Sequence, residues 1–118
     1  MHKDLEGRTK RFSLGVIAFC QNLPPSRVTD VLVRQLLRSS TSIGANYREA
    51  NRAVSRADFV NKIGTVQKEA AETQYWLELI IEAGLSKSAA GQPLHAESSE
   101  LLAIFTSIGK KLKMRGDQ

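Results

Sequence analysis

Apolar residues recur every three to four positions in four separate segments of the chain, the spacing typical of amphipathic helices. The first segment predicts a helix from about Thr9 to Gln21. It ends before Pro24 and Pro25, because proline lacks the amide hydrogen that a helix interior needs. Its apolar face consists of Phe12, Val16, Phe19, Cys20 and Leu23.

The second segment predicts a helix that opens after Ser26, a suitable N-cap residue, and runs to about Asn51. On a helical wheel, one face carries an apolar core stripe: Leu32, Leu36, Ile43, Tyr47 and Ala50. The opposite face carries five arginines: Arg27, Arg34, Arg38, Arg48 and Arg52.

A third helix is predicted to begin at Ser55, with Asp58 in its first turn, and to end before Gly84. Its apolar stripe consists of Phe59, Ile63, Val66, Ala70, Thr73, Leu77, Ile80 and Ile81. A fourth helix begins near Pro93 and has the apolar face Leu94, Ser98, Leu101, Phe105, Ile108 and Leu112. It ends in a basic tail: Lys110, Lys111, Lys113 and Arg115.

Four amphipathic helices with short connections predict an all-α fold, an up-down-up-down four-helix bundle. The helices use nearly all of the 118 residues, so residues 1–118 are predicted to form a single domain. The composition, 42% hydrophobic and 25% charged, is that of a globular chain and argues against disorder or a disulfide scaffold.

The net charge of +5 is unevenly distributed and permits a nucleic-acid partner. Residues 23–53 carry five basic and two acidic side chains, whereas residues 54–84 carry three basic and five acidic ones. The N-terminal sequence has no apolar signal core, and no segment approaches the roughly 20 apolar residues of a membrane span. We expect a cytoplasmic protein without membrane contact.

The residues needed for catalysis or metal binding are missing. Neither His2 nor His95 follows a glutamate by three positions, the spacing of di-iron bundles. Cys20 is the only cysteine, so no disulfide or zinc site is expected. Glu69 and Glu72 are predicted to lie at the edge of the core stripe, on a solvated or hydrogen-bonded face. No phosphate-binding loop or nucleophile elbow is present. We predict no enzyme activity, no metal and no cofactor.

The second and third helices resemble the four-helix bundle family of 23S rRNA-intervening sequence proteins. The matching positions are Leu37, Arg38, Ser42, Ile43, Asn46, Glu49, Ser55, Asp58, Phe59, Glu69, Glu72, Trp76 and Leu77. One departure is Ala50, because many relatives have glycine after the glutamate at that point.

This resemblance implies a closed bundle that assembles as a ring-shaped homopentamer. It also implies nucleic-acid binding as the usual suggestion for a family without a settled biochemical function. Similar proteins from diversity-generating retroelements bind nucleic acid and a reverse transcriptase, so a protein partner is the alternative hypothesis: an interaction scaffold without nucleic-acid binding.

The arginine face has two interpretations. Guanidinium groups match phosphate geometry, so the five side chains can follow an RNA or DNA backbone. Alternatively they are solvated or form salt bridges to the acidic third helix of a neighbouring subunit, with partners among Glu69, Glu72, Glu78 and Glu82.

Polar residues also lie beside the core stripe of the second helix. Ser42, Asn46 and Glu49, with Gln35 in line, predict either a ligand site or a network of hydrogen bonds between helices or subunits. Among the aromatic residues, Tyr47 is expected to pack in the core. Tyr75 and Trp76 lie off the third helix's stripe and are candidates for an interface.

Overall fold

The computed structural model describes residues 4–116, which form four helices and, within that range, no strand. The helices are α1 (Leu5–Gln21), α2 (Arg27–Ala50), α3 (Arg56–Glu82) and α4 (Gly91–Gly116). α1 packs against α2 and α4, and α3 packs against the same two helices. The predicted all-α bundle of four helices is therefore confirmed.

Neighbouring helices run in opposite directions. In the middle of α2, Ser39 contacts Thr73 in the later part of α3, whereas Glu49 near the end of α2 contacts Lys62 near the start of α3. The contacts between α1 and α2 and between α3 and α4 follow the same antiparallel order. This order is the up-down-up-down arrangement that the short connections predict.

Serine side chains begin α2 and α3, as the sequence predicts. The Ser26 hydroxyl accepts a hydrogen bond from the amide of Thr29, and the Ser55 hydroxyl accepts one from the amide of Asp58, each at 3.0 Å. Both serines have extended backbone angles, the usual conformation of an N-cap residue. These bonds fix where each helix emerges from its connecting loop.

The first helix begins about one turn earlier than predicted, at Leu5 instead of Thr9. The Asp4 carboxylate caps it by accepting a hydrogen bond from the amide of Gly7 at 3.1 Å. Leu5 is buried and extends the apolar face, which was predicted to begin at Phe12, by two turns. The Asp4 cap and the buried Leu5 together mark the start of the helix.

A Schellman motif ends α3. Gly84 has a φ of 69°, the left-handed conformation that glycine adopts at little cost. The amide of Leu85 donates to the carbonyl of Ile80, and the amide of Gly84 donates to the carbonyl of Ile81, both at 3.1 Å. The C′ position predicted for Gly84 is therefore confirmed.

Apolar residues from all four helices meet in one core. Most of the predicted face residues are buried in it: Phe12, Val16, Phe19, Leu36, Ile43, Ile63, Val66, Leu77, Ile80, Leu101 and Phe105. Cys20, Leu32, Tyr47 and Phe59 are half-buried and pack around its edge. This core leaves the opposite side of α2, with its arginines, facing solvent.

Candidate nucleic-acid interface

All five arginines of the predicted face have exposed side chains on α2 or immediately after it. They are Arg27, Arg34, Arg38, Arg48 and Arg52. The core residues of α2 hold the helix with this side outward, because Leu36 and Ile43 on the opposite side are completely buried. From Arg27 to Arg52 the face spans about 37 Å along the helix direction.

Two of these arginines form ion pairs within the chain. Arg38 Nη2 lies 3.2 Å from Glu72 Oε1 on α3, and Arg48 Nε lies 3.5 Å from Glu6 Oε1 on α1. Exposed pairs of this kind contribute only about 0–1 kcal/mol to stability. Both guanidinium groups can therefore exchange their carboxylate for a phosphate at small cost.

The other three arginines have no partner among the residues that the structure describes. Within residues 4–116, the side chains of Arg27, Arg34 and Arg52 form neither an ion pair nor a hydrogen bond with the protein. The acidic third helix of the same chain thus pairs with only one member of the face, Arg38. Three full guanidinium donor sets remain available to an external anion.

A groove of about 430 Å³ between α1 and α2 adds to this surface. It exists because Gly44 and Ala45 leave little bulk on α2 where α1 crosses it. Its basic lining residues are Lys10, Arg48 and Arg52. The hydroxyl-bearing residues Ser13 and Thr41 and the acidic residues Glu6 and Glu49 complete the lining.

The two carboxylates of this groove already have partners. Glu6 accepts a hydrogen bond from Asn51 Nδ2 at 2.8 Å in addition to its contact with Arg48. Glu49 accepts one from Lys62 Nζ at 2.9 Å, and this contact raises the pKa of Lys62. Lys10 forms no ion pair in the described part of the chain. The sequence predicted that Lys10 lies on the first helix, but it did not predict that Lys10 shares a groove with Arg48 and Arg52.

The polar residues beside the core stripe lie on the flank of α2 that faces α3. Ser42 donates to the carbonyl of Arg38 at 2.6 Å, and the Asn46 amide donates to the carbonyl of Ser42 at 2.9 Å. Both bonds stay within α2. The single bond between helices in this set joins Glu49 to Lys62.

Glu69 differs from its expected position at a solvated or hydrogen-bonded edge. Only 6% of this residue is exposed, and its Oε1 has no hydrogen-bond partner. The expectation of a solvated or hydrogen-bonded position was wrong for Glu69. One turn further along α3, Thr73 Oγ1 lies 2.9 Å from Ser39 Oγ, so α2 and α3 are close together in this region. The indole nitrogen of Trp76 is likewise buried without a partner.

The aromatic residues divide between core and surface. Tyr47 is half-buried and packs edge-on against Phe105 with 5.2 Å between ring centroids, in agreement with a packing role. Tyr75 is 53% exposed and contacts Trp76 edge-on at 5.3 Å. Tyr75 therefore remains available for contact with another molecule.

No cluster of three or more metal-ligating side chains occurs in residues 4–116. Across the same range, none of the helices is both long and apolar enough to cross a membrane.

Comparison with known proteins places the fold among solved structures. The family model described as 23S rRNA-intervening sequence protein matches residues 4–107. A crystal structure of a protein with unknown function from the S23 ribosomal protein family of Bacteroides thetaiotaomicron is 38% identical and has a TM-score of 0.81. That match covers 89% of this chain and 97% of the other. No curated protein matches the chain.

Proposed function

The chain belongs to the 23S rRNA-intervening sequence protein family, and we propose that it is a non-enzymatic, oligomeric bundle that binds RNA or DNA phosphates through the α2 arginines. The family match names no reaction, and the described surface offers anion-binding groups without a nucleophile and base in contact. We propose the cytoplasm as the compartment, where both nucleic acids are accessible.

The observation that carries this proposal is a set of three guanidinium groups that have no partner among residues 4–116: Arg27 and Arg34 on one side of α2, and Arg52 two residues after its end. A charged residue that serves only solubility can occupy any exposed position, whereas these share one face with Arg38 and Arg48. Arginine donates in a planar fork that matches two phosphate oxygens. A line of such groups favours a polyanion over a small ligand.

The groove between α1 and α2 is the concave part of the proposed binding surface. Lys10, Arg48 and Arg52 supply three cations around its walls, while Ser13 and Thr41 supply hydroxyl donors. Arginine, lysine, serine and threonine side chains are among the groups that most often contact phosphate oxygens. The proposed mode is therefore contact with the backbone, with little dependence on sequence.

Filter binding to single-stranded RNA and to duplex DNA tests the proposal. We expect the wild-type protein to retain both at low salt, and a variant with Arg27→Gln, Arg34→Gln and Arg52→Gln to lose most of the affinity. A matched control removes the same charge elsewhere, with Arg11→Gln, Lys68→Gln and Lys87→Gln, three exposed positions outside the face.

Two results would contradict the proposal: no salt-dependent binding by the wild-type protein, or equal loss in the arginine variant and its control. If binding is absent and a pull-down after nuclease treatment recovers a stoichiometric protein, the alternative function, a protein-interaction scaffold, replaces it. The exposed Tyr75 beside Trp76 is the observation that favours this second function.

A further inference from the structure

We propose that the groove between α1 and α2 selects RNA over DNA, and that Glu49 makes this selection by accepting a hydrogen bond from a ribose 2′-hydroxyl. The inference rests on the proposed function, because it requires that phosphates bind to the basic side chains of the groove. It adds which of the two nucleic acids the surface prefers and the side chain that distinguishes them.

Glu49 has one carboxylate oxygen available to a ligand. Its Oε1 accepts a hydrogen bond from Lys62 Nζ at 2.9 Å, whereas its Oε2 accepts none from residues 4–116. The side chain lines the groove and is 60% exposed, so a bound molecule can reach Oε2. The contact with Lys62 holds the carboxylate in place while one of its oxygens stays open to solvent.

Glu6, the other carboxylate of the groove, has partners for both of its oxygens. Its Oε1 lies 3.5 Å from Arg48 Nε, and its Oε2 accepts a hydrogen bond from Asn51 Nδ2 at 2.8 Å. Of the two carboxylates that line the groove, Glu49 is therefore the one with an oxygen to which a ligand can donate.

Arg52 provides a cation close to this acceptor. Its backbone amide donates to the carbonyl of Glu49 at 3.0 Å, in the turn that follows α2, so the two residues are held one turn apart. Both side chains line the groove. Among the ion pairs of residues 4–116, none joins Arg52 to Glu49. A guanidinium and a carboxylate oxygen, both without a partner in the described chain, thus border the same cavity.

The RNA backbone carries groups that match this pair. The 2′-hydroxyl is attached to the sugar carbon next to the one that bears the 3′-phosphate, so a hydrogen-bond donor and an anion are neighbours in every nucleotide. A hydroxyl forms a strong, charge-assisted hydrogen bond to a carboxylate. The 2′-hydroxyl is also the group by which proteins distinguish RNA from DNA. With a phosphate on Arg52, the adjacent 2′-hydroxyl can donate to Glu49 Oε2.

DNA approaches the same carboxylate without a hydroxyl to donate. A phosphate that binds to Lys10, Arg48 and Arg52 comes close to the negative charge of Glu49, and like charges at short range repel each other. In RNA the hydrogen bond to Glu49 offsets this repulsion. The groove therefore combines an attractive contact for one nucleic acid with a repulsive contact for the other, a combination that specific binding sites often use.

The affinities for two oligonucleotides of identical sequence test the proposal. Both are single strands of adenine and cytosine alone, long enough to span the α2 arginines, one with ribose and one with deoxyribose, so that they differ in the 2′-hydroxyl. We expect the wild-type protein to bind the ribose strand at least about fivefold more tightly, because a hydrogen bond to a charged group is stronger than one to a neutral group. A strand with 2′-fluorine keeps an RNA-like sugar conformation without the O–H, and we expect it to bind like DNA.

Variants of Glu49 identify the acceptor. Glu49→Ala is expected to reduce the RNA-to-DNA ratio to less than about twofold, because RNA loses its acceptor and DNA is no longer repelled. Glu49→Gln is expected to give a ratio between those of the wild type and the alanine variant, since its amide oxygen still accepts a hydrogen bond. If Glu49→Ala does not fold, a lower ratio for Glu49→Gln than for the wild type is the result required.

Glu72→Ala is the matched control. Glu72 pairs with Arg38 of the arginine face, so its removal also takes away one negative charge beside that face. It lies outside the groove. We therefore expect Glu72→Ala to raise the affinity for both strands and to keep the wild-type ratio.

Equal, salt-dependent affinities of the wild-type protein for the ribose and deoxyribose strands would overturn the selection of RNA and leave the phosphate-binding proposal standing. A 2′-fluoro strand that binds as tightly as RNA would overturn the hydrogen bond from the 2′-hydroxyl. An unchanged ratio in folded Glu49→Ala, or an equal loss in Glu72→Ala, would overturn the assignment of Glu49. If neither strand binds, the proposed function itself fails, and the selection of RNA fails with it.

Discussion

The Thr73 hydroxyl lies 2.9 Å from the Ser39 hydroxyl, and both residues are completely buried where α3 meets α2. This contact holds α2 and α3 close together. Replacing Thr73 by valine keeps the shape and removes this hydrogen bond, together with the bond from Thr73 Oγ1 to the carbonyl of Glu69 at 2.8 Å. We expect Thr73→Val to lower the free energy of unfolding by about 1 kcal/mol, measured by urea denaturation.

The matched control for this substitution is Thr65→Val on the same helix. Thr65 is half-buried and its hydroxyl donates only to the carbonyl of Asn61 at 3.2 Å, within α3. We expect the free energy of unfolding to change by less than about 0.5 kcal/mol. Equal effects of the two substitutions would show that the contact between Thr73 and Ser39 contributes nothing specific.

An ion pair joins α1 to α4 and gives a second prediction. Arg8 Nε and Nη2 each lie 2.7 Å from one oxygen of Glu97, a bidentate contact that raises the pKa of Arg8. We expect Arg8→Gln to lower the free energy of unfolding by about 1 kcal/mol, because the pair is two-thirds buried and charge-assisted.

Arg11 provides the comparison for this pair. It lies 3.4 Å from Asp4 with both side chains about two-thirds exposed. Arg11→Gln should leave the stability almost unchanged, since exposed pairs contribute little. Chemical denaturation of both variants at low and high salt measures the difference. A loss for Arg8→Gln no larger than that for Arg11→Gln would contradict the assigned role.

Two glycines inside helices are predicted to respond in opposite ways to alanine. Gly64 is exposed on α3, and an added Cβ meets no atom within 4 Å. Gly64→Ala should therefore raise the free energy of unfolding by about 0.5–1 kcal/mol, because alanine loses less backbone freedom on folding.

Gly44 is different because α1 crosses α2 at that point. An added Cβ would lie 3.1 Å from Thr9 Oγ1, and Thr9 is completely buried. Its hydroxyl is held by the carbonyl of Leu5 at 2.7 Å, so it has little freedom to move. We expect the free energy of unfolding of Gly44→Ala to be lower than that of Gly64→Ala by about 1 kcal/mol or more, measured by thermal or urea unfolding. Equal stabilisation would contradict this close crossing.

Burial raises the pKa of the Cys20 thiol to about 11, well above its usual range. At pH 8 the folded protein therefore holds almost no thiolate, and iodoacetamide should react with Cys20 more than about tenfold slower than in the urea-unfolded chain. The rate should keep rising with pH beyond 9. A reaction rate that stops rising near pH 9 would mean that the thiol is accessible to solvent and has an ordinary pKa.

The same pKa change has a consequence for stability. The folded state binds the thiol proton more tightly than the unfolded chain, in which the pKa is about 8.5. The contribution of Cys20 to stability is therefore complete below about pH 8.5 and is lost as the pH rises toward 11.

Local chemistry made the helix boundaries predictable. Ser26 and Ser55 cap helices from side-chain atoms three residues away, and Gly84 ends α3 through its own backbone conformation. The start of α1 was missed because Leu5 is one apolar residue separated from the rest of its stripe. Its burial depends on neighbouring helices, and periodicity within α1 does not report it.

The candidate site likewise has features that the sequence predicts and features that it does not. The arginine face was predictable because it lies on one helix with a known repeat. The contact of Arg48 with Glu6, the position of Lys10 and the burial of Glu69 were not, since each depends on how far two helices slide along each other. That register is set by Gly44 against Thr9 and by Ser39 against Thr73, pairs that are distant in the sequence.

The salt dependence of RNA affinity measures how many phosphates the α2 arginines contact. Each phosphate contact to a single strand contributes about 0.7 to the slope of log affinity against log salt concentration. We expect Arg27→Gln, Arg34→Gln and Arg52→Gln together to reduce the slope by up to about 2. The control variant of Arg11, Lys68 and Lys87 should keep the wild-type slope. Identical slopes for the wild type and the arginine variant would contradict phosphate binding by the α2 face.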